Sequence, residues 1–350
     1  MKLFYKKHFK AKGFSLTEMS ISILVISVVT IMIIKGGDLR NKINDVGNKW
    51  ATQGLSPGLE PCSDIKINST SISGYFTNII NSSCLAVFTY DSEEDNGSGQ
   101  TEYNVQFLQD VKADIIIVAG GGSGGLIATS WEPGGGGAGG LIFENDYSIS
   151  KGSYNIRVGN GGANSNGKDS EFGNLFTAIG GGMGGNSSGS SSGNGNSGGS
   201  GGGGGFRRVG GSGISGQGNS GGSTNNPVSN NGGGGGGSGT SGSIYLGGVG
   251  LAEKNGIDFK ENFALSPEMN IGHYIAGADK IYFSGGGNAA KSPLSGTNTY
   301  GGGGRSRVAN SFGSGFSAIP NTGGGGGAPY RNGIPGSGGS GVIILIYEKL

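Results

Sequence analysis

The sequence predicts an N-terminal transmembrane α-helix followed by a mainly β exported domain, in which β-sandwich-like strands clamp glycine-rich segments. Three observations predict this. Residues Phe14–Ile34 form an apolar run behind a lysine-rich leader. Apolar strand-like runs, Ile115–Ala119 and Val342–Tyr347, bracket the glycine-rich text. Of the 350 residues, 82 are glycine, and only nine of these precede Gly120. From Gly120 to Gly341 about one residue in three is therefore glycine, against roughly 7% in ordinary proteins.

Composition excludes several classes. Charged residues make up 13% and the formal net charge is +1, too little excess to grip nucleic-acid phosphates, so no nucleic acid is expected as a partner. The glycines come in runs rather than at every third position, which argues against collagen. Two Cys and two His in the whole chain are a poor supply for a zinc site, and no metal or cofactor is expected.

Residues 1–13 hold five lysines and no acid. The 21 residues Phe14–Ile34 would span about 31 Å as a helix, enough for a bilayer core. The basic flank places the N-terminus in the cytoplasm and exports the rest. Ile33-Ile34-Lys35-Gly36 offers no small-residue signal-peptidase site. Glu18 inside the apolar run is costly and demands a partner.

The junction Gly13-Phe14-Ser15-Leu16-Thr17-Glu18 resembles the cleavage and methylation motif of type IV prepilins and pseudopilins. The resemblance covers residues 1–40. It implies cleavage after Gly13 by prepilin peptidase, N-methylation of Phe14, and a subunit-assembly role for Glu18, whose carboxylate would neutralise a neighbouring subunit's terminal amine. It also implies the inner membrane and other pilin or pseudopilin subunits as partners, with the head displayed on a pilus or the cell surface. The mid-helix proline common in pilins is absent, and Gly36-Gly37 interrupts the helix. Without the leader the chain carries 19 basic and 23 acidic groups, a net of −4.

Residues 36–84 read as a short helix and a connecting region. Leu39, Ile43, Val46 and Trp50 fall at helical spacing, and Gly54, Pro57, Gly58 and Pro61 break the chain. Cys62 and Cys84, 22 apart, are either a disulfide or two buried thiols; an oxidising exported compartment favours the disulfide. Strands are predicted at 85–90, 103–108 and 114–119, the last buried on both faces because it is nearly all apolar.

Two motifs inside the glycine-rich body, 85–350, imitate nucleotide sites. Gly120-Gly121-Gly122-Ser123-Gly124-Gly125 follows a strand and fits the dinucleotide fingerprint, but no helix of useful length fits before Pro133. Gly162 to Lys168 imitates a P-loop, but Asp169 stands where a hydroxyl residue would hold Mg²⁺. After leader removal His273 is the single histidine, no paired carboxylates stand out, and the chain is not expected to be an enzyme.

The body resembles a glycine-rich domain family of bacterial and phage surface proteins. The resemblance rests on Ile115–Gly122, Gly136–Leu141, Gly152–Gly162, Ser170–Gly173, Pro320–Gly327 and Gly338–Tyr347. It implies bundled polyglycine II helices beside a β-sandwich. The physics allows this. Long glycine runs cost the most entropy to order, but a threefold extended helix points its backbone donors and acceptors outward, where neighbours without side chains can pair with them. Strand signals at both ends favour order over a floppy tail.

Residues 251–283 depart from the glycine text and carry Phe259, Phe263, His273, Tyr274 and Tyr282. They read either as an exposed recognition loop for a host-cell or surface receptor, dispensable for folding, or as a small packed insertion. Phe206-Arg207-Arg208 is a second, weaker basic-aromatic spot. The functional expectation is a minor or tip pilin-like subunit displaying an adhesion domain; the alternative is a pseudopilin-like part of a type II secretion or DNA-uptake machine.

Overall fold

Alternation of apolar residues with period two sets the architecture. The computed structural model describes residues 62–68, 74–80, 83–95, 97–127, 132–187, 193–224, 232–252, 271–275, 280–290, 299–306, 313–331 and 333–348. The prepilin motif, the apolar run, the helix expected before Trp50, Phe259 and Phe263 lie outside them. Among the described residues there is no α-helix, and so none long and apolar enough to cross a membrane.

The first sheet contains β1 (Ile65–Ile67), β4 (Gln100–Phe107), β7 (Gly152–Gly159), β8 (Ser170–Phe172) and β9 (Phe176–Ala178), in that order. The second runs β2 (Tyr75–Ile80), β3 (Ser83–Thr89), β13 (Val342–Glu348), β5 (Val111–Val118) and β6 (Leu141–Ile149). All pairings are antiparallel. The C-terminal strand β13 lies between β3 and β5, with Val342 opposite both Thr89 and Val118. The chain on either side of the glycine-rich insertion is thus joined directly. Strands begin well before residue 85, and Pro61–Leu350 forms one compact unit, so the sheets extend into the stretch read from sequence as a connector. In that stretch Cys62 is bonded to Cys84, with Cα atoms 5.5 Å apart.

The two sheets enclose one core. Phe88, Tyr103, Val105, Phe107, Ile115, Ile117, Ile156, Phe172, Ile343, Leu345 and Tyr347 are fully buried in it. Phe107 touches Tyr154, Phe172 and Tyr347 with ring centroids 5.6–6.5 Å apart. Alternate residues of the second sheet, Leu85, Val87, Ile116, Val118, Val342 and Ile344, point to its other face and are also buried. β5 and β13 are therefore covered on both faces, as their unbroken apolar runs require. The second face is covered by Ile271, Ile281 and Phe283.

The glycine-rich segments are extended and ordered by backbone pairing. Consecutive N–H groups from Gly120 to Gly125 donate to the carbonyls of Lys168, Gly339, Gly137, Ser165, Gly336 and Gly134, all at 2.8–3.1 Å. Each partner segment recurs after three residues, Lys168 then Ser165, Gly339 then Gly336, Gly137 then Gly134. This is the repeat of a threefold extended helix with a neighbour on each of three sides, the polyglycine II arrangement. The next run repeats it: Gly134 and Gly137 donate to Gly185 and Gly182, Gly135 and Ala138 to Gly233 and Gly236, and Gly136 and Gly139 to Gly326 and Gly323.

Glycine is required here by proximity. A Cβ on Gly121 would collide with the Gly324 carbonyl, and one on Gly136 with the Gly122 and Ser123 carbonyls. At the bundle's margin polar side chains replace backbone acceptors with the same spacing. Asp169 and Asn166 accept from the N–H groups of Gly180 and Met183, and Ser314 and Ser317 from those of Ile334 and Ser337. These side chains thus satisfy backbone donors of the segment that runs beside them.

Candidate recognition surfaces

The bundle offers little side-chain chemistry, so recognition falls to the islands that carry side chains. The largest is a three-stranded antiparallel sheet in the order β10 (Leu251–Ala252), β12 (Lys280–Phe283) and β11 (His273–Ile275). Ile281 and Phe283 alternate inward and are 4% and 2% exposed. They anchor the island on the second sandwich sheet. This burial is what a packed insertion requires: removing Ile271, Ile281 and Phe283 would uncover Ile116, Val118 and Ile344.

Lys280 and Tyr282 face away from that core. His273 lies directly opposite Tyr282 in the register, so the two share the outward face. Tyr300, which no motif singles out, comes from the next glycine segment and sets its ring 5.1 Å from that of Tyr282. Tyr274, 48% exposed, lies opposite Ile281 and so on the other face of the island, whereas Tyr300, 44% exposed, joins Tyr282 and His273. The result is an aromatic patch with one imidazole at its edge. The His273 Nδ1 accepts a hydrogen bond from the Gly302 N–H at 3.1 Å, which ties the island to the segment carrying Tyr300. Burial holds the His273 pKa below its ordinary value, an effect opposed by a backbone hydrogen bond at Thr299.

The second spot sits elsewhere. Phe206 is buried at a turn of the bundle, and the Arg207 guanidinium lies 4.7 Å from its ring centroid. The Gly120–Gly125 motif opens into extended chain, and its N–H groups are all engaged by neighbouring carbonyls. Among the described residues no group of three or more His, Cys, Asp or Glu could hold a metal ion.

The sequence model of the glycine-rich domain family matches residues 97–348, from the turn before β4 to the last strand. The chain belongs to the glycine-rich domain family. The match takes in β4–β13, the bundle and the tyrosine island, and begins after Cys62, β1, β2 and β3. The glycine-rich domain is therefore completed by N-terminal strands outside the matched range, since β3 pairs with β13 along seven residues. No curated protein matches the chain.

Proposed function

We propose that this protein is a type IV pilin-like subunit, of minor or tip type, that displays its glycine-rich domain for surface adhesion and is processed by prepilin peptidase. The observation that carries the reading is the register of Gly13, Phe14 and Glu18 between a five-lysine leader and a 21-residue apolar run. A carboxylate at that depth has a physical use when a neighbouring subunit's terminal amine neutralises it. The head supports the display half of the reading, because a bundle held by backbone pairing is a stiff spacer on which side-chain islands are exposed. The patch of His273, Tyr282 and Tyr300 is the surface assigned to receptor contact.

The test is the mass of the N-terminal peptide from the native host. A chain beginning at N-methylated Phe14 is expected. A chain beginning at Met1 would remove the pilin reading and leave a tethered glycine-rich protein.

A further inference from the structure

The hydrogen-bond register places several turns of the bundle at one end, away from the sandwich. The Phe206 N–H donates to the Glu132 carbonyl, and Gly136 donates to Gly326, which sets Tyr330 level with Glu132 on the other side. Leu126, next to the Gly125–Gly134 pair, and Ile334, two residues before the Gly336 that pairs with Gly124, reach the same level. Ala289 donates to Tyr245, which brings Ile244 there too, and Val209 lies within about two residues of it.

This end combines two kinds of exposed side chain. Arg207, Arg208 and Arg331 are exposed cations. Leu126, Val209, Ile244 and Ile334 are exposed aliphatics, at 41%, 41%, 39% and 72%. Glu132 is the sole acid among the described residues of this end, and it is buried.

The backbone supplies a second, independent observation. Arg207, Tyr245 and Arg331 have φ of 56°, 71° and 43°. Left-handed turns are where glycine costs least, and this chain has 82 glycines to spend. It places two arginines and a tyrosine there instead, at a conformational cost. Arg207 and Arg331 stack on Phe206 and Tyr330, which limits the freedom their side chains would lose on binding.

We infer that this end of the bundle docks on an anionic lipid surface, with the arginines on headgroup phosphates and the aliphatics entering the acyl boundary. Lipid is the occupant that uses both side-chain classes. A soluble acidic polysaccharide would leave Ile334 without a role. Single-stranded nucleic acid would seek open aromatic faces, whereas the Phe206 and Tyr330 rings are buried. The inference deepens the adhesion reading but does not depend on pilin processing.

Residues 61–350, one compact unit that leaves out the lysine-rich leader and the apolar run, are tagged after Leu350, immobilised and exposed to vesicles of phosphatidylcholine with or without phosphatidylglycerol. Preferential capture of the anionic vesicles is expected, falling steeply with salt. R207E/R208E/R331E should weaken that capture about 100-fold, from the usual contribution of each surface cation. The corresponding Gln triple should show the same direction with a smaller loss, which guards against misfolding of the Glu triple. K151E, at an exposed turn of the sandwich, should change nothing. Ile334→Ser should weaken capture of anionic vesicles while leaving dextran sulfate binding unchanged. Equal capture of both vesicle types would overturn the inference, as would an unaffected arginine triple. Dextran sulfate binding with no Ile334 effect on vesicles would reassign the end to a soluble polyanion. Methionine at position 1 in the N-terminal mass would overturn the pilin reading alone.

Discussion

The sandwich and the glycine bundle solve the same problem in opposite ways. Both must satisfy buried backbone groups while excluding water. In the sandwich, sheets pair along one direction and side chains such as Phe107, Phe172 and Tyr347 fill the space between them. In the bundle, each chain pairs on several sides and nothing fills the space, because there is none to fill. Gly136 donates to Gly326, accepts from Gly287 and has carbonyls where its side chain would be. The sandwich gains from apolar burial, whereas the bundle relies on dense hydrogen bonding to offset the large entropy cost of ordering glycine. A missing methyl group therefore harms the first, and an added one harms the second.

The largest effect is expected from Phe107→Ala. Phe107 is fully buried and touches three other rings, so truncation should cost about 3–5 kcal/mol. Denaturant melts would measure it, and a loss below about 1 kcal/mol would mean that the sandwich is not packed as described.

Gly136→Ala sharpens the contrast from the other side. The added methyl meets backbone carbonyls that cannot rotate away, so the loss should reach about 3 kcal/mol, the upper part of the usual overpacking range. Gly193→Ala is the control. There the nearest atom to a new Cβ is the Asn186 nitrogen at 3.3 Å, on a half-exposed segment, and the change should be small. Equal losses at the two positions would break the view that proximity holds the bundle together.

Reduction of Cys62–Cys84 comes next. The bridge closes a 22-residue separation and ties the turn before β1 to β3, so reduction should cost about 3 kcal/mol in the chain-entropy account. The melting temperature of the sandwich, followed by tyrosine near-UV signals, should fall. Replacing both residues by Ser should reproduce the loss.

How far this division could be read from sequence depended on which groups make the contacts. β5 and β13 were legible because Ile115-Ile116-Ile117-Val118 and Val342-Ile343-Ile344-Leu345 have no polar face. β1 was missed because three residues carry no period, and β2 because Thr77 and Asn78 interrupt its apolar text. The existence of a threefold bundle followed from glycine's freedom from a Cβ, but its register did not, since every glycine offers the same donor and acceptor. One signal was available. Asn166 with Asp169, and Ser314 with Ser317, are polar acceptors three residues apart in glycine text, and they mark margins of the bundle. In the tyrosine island, the pairing of His273 with Tyr282 was within reach of a hairpin reading, whereas Tyr300 arrives from a separate segment and has no sequence signature.

The smallest predicted effect concerns the point where the two regimes meet. The His273 Nδ1 accepts from the Gly302 backbone N–H, so here a side chain of the island replaces a carbonyl in the glycine network. Only the neutral imidazole can accept that bond. Lys280 and Tyr282 on the facing strand add no carboxylate that would hold a proton on the ring. Because burial lowers the folded-state pKa, the unfolded chain binds this proton more readily than the folded one. Stability is therefore full above the ordinary histidine pKa of about 6.5 and declines as the pH falls below it. The decline stops once the folded imidazole also protonates. Thermal melts between about pH 8 and pH 5 should show this loss in the wild type. His273→Asn keeps an acceptor oxygen that does not titrate near neutrality and should flatten that part of the profile. A variant as pH-sensitive as the parent would show that a group other than His273 carries the pH dependence.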